Sequence, residues 1–95
     1  MNNNAQSIGS ILNQYLRERG LEHIIKEAQV PDLWDEIIGE HAAKHARIHT
    51  FENKELVVDV TSPVWRMELR HRADSIKDKI NARLGGETIR SIIIR

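Results

Sequence analysis

Apolar residues recur at helical spacing through the first third of the chain, switch to strict alternation in the middle, and return to spacing by fours afterwards. Ile8, Ile11, Leu12, Tyr15 and Leu16 lie on one face of a predicted helix with Ser7 as its N-cap, and Gly20 ends it. Leu21, Ile24, Ile25 and Ala28 predict a second, short helix that breaks at Val30-Pro31, because proline disfavours helix at the residue before it. Asp32 then reads as the N-cap of a third helix. It carries Leu33, Trp34, Ile37 and Ile38 inward and continues through Ala42 toward His45, with Gly39 inside it.

Residues 46–51 and 55–61 predict two strands. Leu56, Val58 and Val60 alternate with Val57, Asp59 and Thr61, the period-two pattern of a half-buried strand. Glu52-Asn53-Lys54 is a short polar connector, so the pair reads as a hairpin. Ser62-Pro63 opens the longest helix, with the stripe Trp65, Leu69, Ala73, Ile76, Ile80 and Leu84, and Gly85-Gly86 stops it. Residues 88–94 predict a final strand. The expectation is an α+β fold: N-terminal helices, a β-hairpin, a long helix and a last strand completing a three-stranded sheet. Residues 1–6 read as a disordered N-terminus, and 7–95 as one small domain.

Composition narrows the class. Hydrophobic residues are 40% of the 95 and aromatic ones 4%, so the core must be aliphatic, with Trp34 and Trp65 as its bulky members. The chain has no Cys, which removes disulfides and thiolate zinc ligands. The sequence carries no recognisable signal peptide or apolar span of about 20 residues, and reads as cytoplasmic. Net charge is zero but unevenly spread. Residues 1–62 hold 6 Lys and Arg against 10 Asp and Glu, a net of −4; residues 63–95 hold 8 against 4, a net of +4. Either the halves complement each other within the fold, or they face partners of opposite charge.

Catalytic chemistry finds little support. His41, His45 and His49 are four apart and would share one face of a continuous helix, a spacing that can hold zinc. No general-base Glu sits between them, however, and His49 falls in a predicted strand. No cofactor, metal or nucleophile motif stands out, and Gly85-Gly86 precedes a strand where a phosphate loop needs a helix. The chain reads as a non-enzyme.

Two charged surfaces are candidates. On the long helix, at 100° per residue, Arg66, Arg70 and Lys77 border one side of the apolar stripe, and Arg72, Lys79 and Arg83 the other. With Lys44 and Arg47 nearby, such a border could follow a phosphate backbone in a weak, salt-sensitive contact with single- or double-stranded DNA; the same side chains could equally snorkel along a buried face. Asp35, Glu36 and Glu40 form an acidic surface that could meet a protein partner, or serve only as the acidic first turn that a helix dipole favours.

Residues 34–95 resemble the DciA family of bacteria, long described as a domain of unknown function. The motifs that carry the resemblance are Trp34-x-x-x-x-Gly39, Ala43-x-His45, Glu55-Leu56-Val57-Val58-x-Val60, Ser62-x-x-Trp65-x-x-x-Leu69 and Asn81-x-x-Leu84-Gly85 before an isoleucine-rich strand. The resemblance implies a KH-like fold and a role in DNA replication, as a factor that binds the replicative helicase, helps place it on DNA and has some affinity for DNA itself. The Gly-x-x-Gly clamp of KH domains is missing here, so that RNA-binding site does not carry over. The alternative is a protein-interaction adaptor with no nucleic-acid role, of which a homo-oligomer pairing through a sheet edge is one form.

Overall fold

A computed structural model describes residues 7–95; the expected disorder of residues 1–6 lies outside them. The elements are α1 (Ile8–Glu18), α2 (Glu22–Ile38), α3 (Glu40–Ala43), β1 (Ala46–Glu52), β2 (Glu55–Val60), α4 (Pro63–Leu84) and β3 (Ser91–Ile94). The α+β class stands as expected, and the helices pack on one face of a sheet ordered β1-β2-β3.

Local chemistry explains most boundaries. The Ser7 hydroxyl accepts from the Ser10 N–H, and Ser62 does the same for Trp65 with Pro63 at the first helical position. Asn53 and Lys54 both take positive φ, 51° and 65°, the two-residue turn whose twist matches a hairpin. The β1–β2 register pairs Glu52 with Glu55 and Ala46 with Val60, interrupted by a bulge between Ile48 and Thr50 that leaves His49 over. The β2–β3 pair is parallel, Leu56 opposite Ile92 and Val58 opposite Ile94, because the 22 residues of α4 carry the chain back to the starting end of the sheet.

Two sequence expectations fail at α2. The predicted break at Pro31 and the N-cap at Asp32 do not occur; one helix runs through both. Val30, Leu33, Trp34 and Ile38 are all buried on one side of it, so the helix gains more from continuous core burial than it loses at proline, about 3 kcal/mol. The expected continuation through Gly39 also fails. Gly39 sits at φ 90° and ψ 160°, a region essentially closed to other residues, and turns the chain into the single-turn α3. The last strand is shorter than the 88–94 expected, since Thr88 and Ile89 are held by α4 instead.

The core gathers Val30, Trp34 and Ile38 from α2, Leu56 and Val58 from β2, Leu69, Ile76 and Ile80 from α4, and Ile89 and Ile94 beyond it. Trp65 packs against its edge, half-buried. Helix α1 is different: none of its residues is buried, and it leans mainly on α2. The radius of gyration is 15.6 Å, where a compact chain of this length has about 12 Å.

Candidate functional site

The strand ends and α4 fix the first candidate surface. The Arg66 Nη2 donates to the carbonyl of Val60 at 2.8 Å, and the Arg70 Nε to the carbonyl of Ile94 at 3.2 Å. One turn apart on α4, the two guanidinium groups thus cover carbonyls at the C-terminal ends of β2 and β3. Among the described residues each keeps other N–H groups free, and neither makes an ion pair. Lys77 lies further along the same border, half-buried.

On the opposite border the picture splits. Arg83 donates to both carboxylate oxygens of Glu36, at 2.6 and 3.3 Å, locking α4 to α2. This bond, more than the simple attraction of the charges, holds the Glu36 carboxyl below the usual carboxylate range and raises Arg83. Arg72 and Lys79 make no ion pair among the described residues. The sheet carries a second network. Arg95 donates to Asp59 at 2.8 and 3.3 Å, and His49 Nδ1 stands 3.2 Å from the same carboxylate. The Arg95 hydrogen bond, together with the charges of Arg95 and His49, lowers the Asp59 pKa. Arg47 stands opposite Asp59 on β1, so it shares that part of the sheet and not the α4 border.

The acidic residues do converge. Asp35, Glu36 and Glu40 line one open depression of about 560 Å³, together with Gly39, Ala43 and Lys44. The turn at Gly39 brings the end of α2 and the start of α3 together there. Lys44 therefore belongs to the acidic depression and not to the basic border. Glu36 is engaged by Arg83, which leaves Asp35 and Glu40 as its acids without an ion pair among the described residues.

The three histidines that share a spacing of four fall on three segments. His41 is in α3, His45 in the connection to β1, and His49 in the bulge of β1, so the common helical face does not exist. Among the described residues no group of three or more His, Cys, Asp or Glu is placed to hold a metal ion, and no helix is long and apolar enough to cross a membrane.

Three features escape sequence reasoning. Asn81 holds the α4–β3 loop through its side-chain amide, accepting from the N–H groups of Thr88 and Ile89 at 3.0 and 2.8 Å and donating to the Ile89 carbonyl at 2.8 Å. Its place in a motif is legible; its role is not. The indole N–H of Trp34 is buried without a partner among the described residues. The apolar stripe of α1, legible as one helix face, lies largely exposed.

The motif positions thus acquire structural roles: Trp34, Leu69 and Leu84 fill the core, Gly39 and Gly85 make positive-φ turns open to glycine, and Asn81 clamps a loop. Such a chain is a small α+β domain framework whose open surfaces are charged rims and an apolar helix. The profile of the family described as "Dna[CI] antecedent, DciA" matches residues 7–94. The chain belongs to the DciA family. It is 30% identical over 90 residues to a UPF0232 protein of Corynebacterium glutamicum, covering 95% of this chain and 51% of that protein. It is 33% identical over 88 residues to one of Streptomyces coelicolor, covering 90% and 46%. A third, from Mycobacterium tuberculosis, is 28% identical over 89 residues, covering 94% and 48%. The chain spans about half the length of the curated relatives it matches. No solved structure matches it.

Proposed function

We propose that this chain is a non-enzymatic accessory of bacterial DNA replication that binds the replicative helicase through its folded surface and touches DNA weakly. The observation that carries this reading is the family match across residues 7–94, whose description ties the family to the Dna proteins of replication. The protein contact is assigned to the acidic depression of Asp35, Glu36 and Glu40. The DNA contact is assigned to the basic border of α4: Arg66, Arg70 and Lys77 on one side, Arg72 and Lys79 on the other; Arg47 on the sheet and Lys44 beside the acidic depression stand outside that border and would add only more distant positive charge. Contacts of this kind go to phosphates and tolerate any sequence.

The chemistry supports a division of labour within the border. Arg66 and Arg70 are already oriented by strand carbonyls, which lowers the entropy lost on gripping a phosphate. Lys79 and Arg72 carry no such tether and act as diffuse charge. Localisation in the cytoplasm follows from this role.

The test is recovery of the tagged chain from its native cytosol with identification of its partners, paired with DNA binding across a salt series. Recovery of the replicative helicase and a DNA affinity that falls steeply with salt support the reading. A stable partner outside replication, with no DNA binding even at low salt, overturns it in favour of an adaptor.

A further inference from the structure

We propose that α1 is a self-association surface: two copies of this chain pair through it, antiparallel, about a twofold axis between Ile11 and Leu12. This inference stands apart from helicase and DNA binding. It also differs from pairing through a sheet edge.

The first observation is exposure. Ile8, Ile11, Leu12 and Tyr15 are 85, 56, 52 and 48% exposed, and Ile24 of α2 is 45% exposed. At 100° per residue the four α1 side chains fall within about a quarter to a third of the helix circumference, a stripe facing away from the chain's own core. Single exposed apolar residues need no explanation, whereas a contiguous stripe on one face does.

The second observation is charge. The chain is 29% charged, yet residues 1–16 contain no Asp, Glu, Lys or Arg. A helix whose flanks were built for water would carry charge, and interface cores are depleted in it. The polar flanks here are Gly9, Ser10, Asn13 and Gln14, which bring no like-charge repulsion when the surface meets itself.

The third observation sets the direction. Glu18 lies on the border of the stripe at the C-terminal end, and Gln14 donates to it at 3.5 Å. The first turn of α1 has no acidic residue. In an antiparallel pair each Glu18 approaches the other copy's first turn, where unbonded N–H groups and the helix dipole attract an anion. A parallel pair would set Glu18 against Glu18. The antiparallel arrangement also places Ile8 across from Tyr15, whose ring is steadied by the Arg19 guanidinium 3.7 Å from its centre. An interface satisfied by its own copy, with the same patch on both sides, is isologous and closes at two.

One helix per copy buries less than the roughly 800 Å² per partner of a standard interface. The expected dimer is therefore weak, with a dissociation constant on the order of micromolar or above.

Sedimentation equilibrium over a wide range of protein concentration tests this, with circular dichroism as the check on folding. The wild-type chain should show a reversible monomer–dimer equilibrium. Leu12→Glu and Tyr15→Glu, both at exposed positions, should each weaken it roughly tenfold or more, and Glu18→Lys should weaken it severalfold. Ile93→Glu, at an exposed position of β3, should leave it unchanged. A wild-type chain that stays monomeric throughout overturns the proposal. So does a dimer that survives both α1 substitutions, or one lost on Ile93→Glu alone.

Discussion

Asn81 and Ile89 are bound to each other twice, the amide oxygen accepting the Ile89 N–H and the amide nitrogen donating to the Ile89 carbonyl, both at 2.8 Å. The side chain thus stands in for a neighbouring strand and fixes where the chain leaves α4 to begin β3. Its own carbonyl meanwhile accepts from Gly85 and Gly86, closing the helix. Asn81→Ala leaves the N–H groups of the buried Thr88 and Ile89 without their partner. The expected loss is about 2–4 kcal/mol of unfolding free energy, measured by urea denaturation. Asn81→Asp keeps the acceptor and loses the donor, so its loss should be smaller.

Gly39 gives a purely conformational prediction. A Cβ there would meet nothing within 4 Å, so Gly39→Ala creates no clash. It does place an L side chain at φ 90° and ψ 160°. A loss of about 1–3 kcal/mol is expected, and with it a shift of the depression lined by Asp35, Glu36 and Glu40. Thermal unfolding of the variant checks the first part.

Pro31 should behave in the opposite sense. It lies in the interior of α2, exposed, where it offers no N–H to the helix. Pro31→Ala should raise stability by about 1–3 kcal/mol, with the gain partly offset by a freer unfolded chain. An unchanged denaturation midpoint would falsify the view that α2 persists in spite of this residue.

Stability should fall in acid. Arg83 lowers the pKa of Glu36, and Arg95 with His49 lowers that of Asp59. A carboxyl with a depressed folded value contributes stability that is fully present above its unfolded value, about 4, and is lost as pH drops through the folded one. Unfolding free energy should therefore decline from about pH 4 downward. Arg83→Gln and Arg95→Gln should each flatten that decline. Both pairs are exposed, so the effect should shrink in high salt.

For DNA, charge neutralisation separates the tethered from the untethered residues. Lys79→Gln with Arg72→Gln should weaken binding evenly across sequences and reduce the slope of log affinity against log salt by about 1 for each phosphate no longer neutralised. Neither residue bonds the protein's own backbone through its side chain among the described residues, so the fold should stay intact. Arg66→Glu with Arg70→Glu is a poorer test, because it also uncovers the carbonyls of Val60 and Ile94.

Much of this fold is legible in the order of residues alone. The alternation of Leu56, Val58 and Val60 marks β2, Ser62-Pro63 marks the start of α4 and Gly85 its end, since period and capping are local properties. What misleads is also local. The usual effects of Pro31 and Gly39 are a break and a tolerated interior glycine. Both are overruled by where Trp34 and Ile38 have to be buried. The candidate surfaces are legible as residue types but not as groups: local spacing does not say that Arg83 meets Glu36 across 47 positions, or that Lys44 joins the acidic side.

The sequence by itself determined the type and order of the secondary elements of residues 46–95, the aliphatic composition of the core and, through its ordered motifs, the family. These depend on interactions between neighbours along the chain. Only the tertiary structure decided that β3 runs parallel to β2, that α2 passes unbroken through proline, that Arg70 covers a strand carbonyl, and that the apolar face of α1 stays largely exposed. Each depends on groups far apart in sequence competing for the same space, and burial of the shared core settles which of them win.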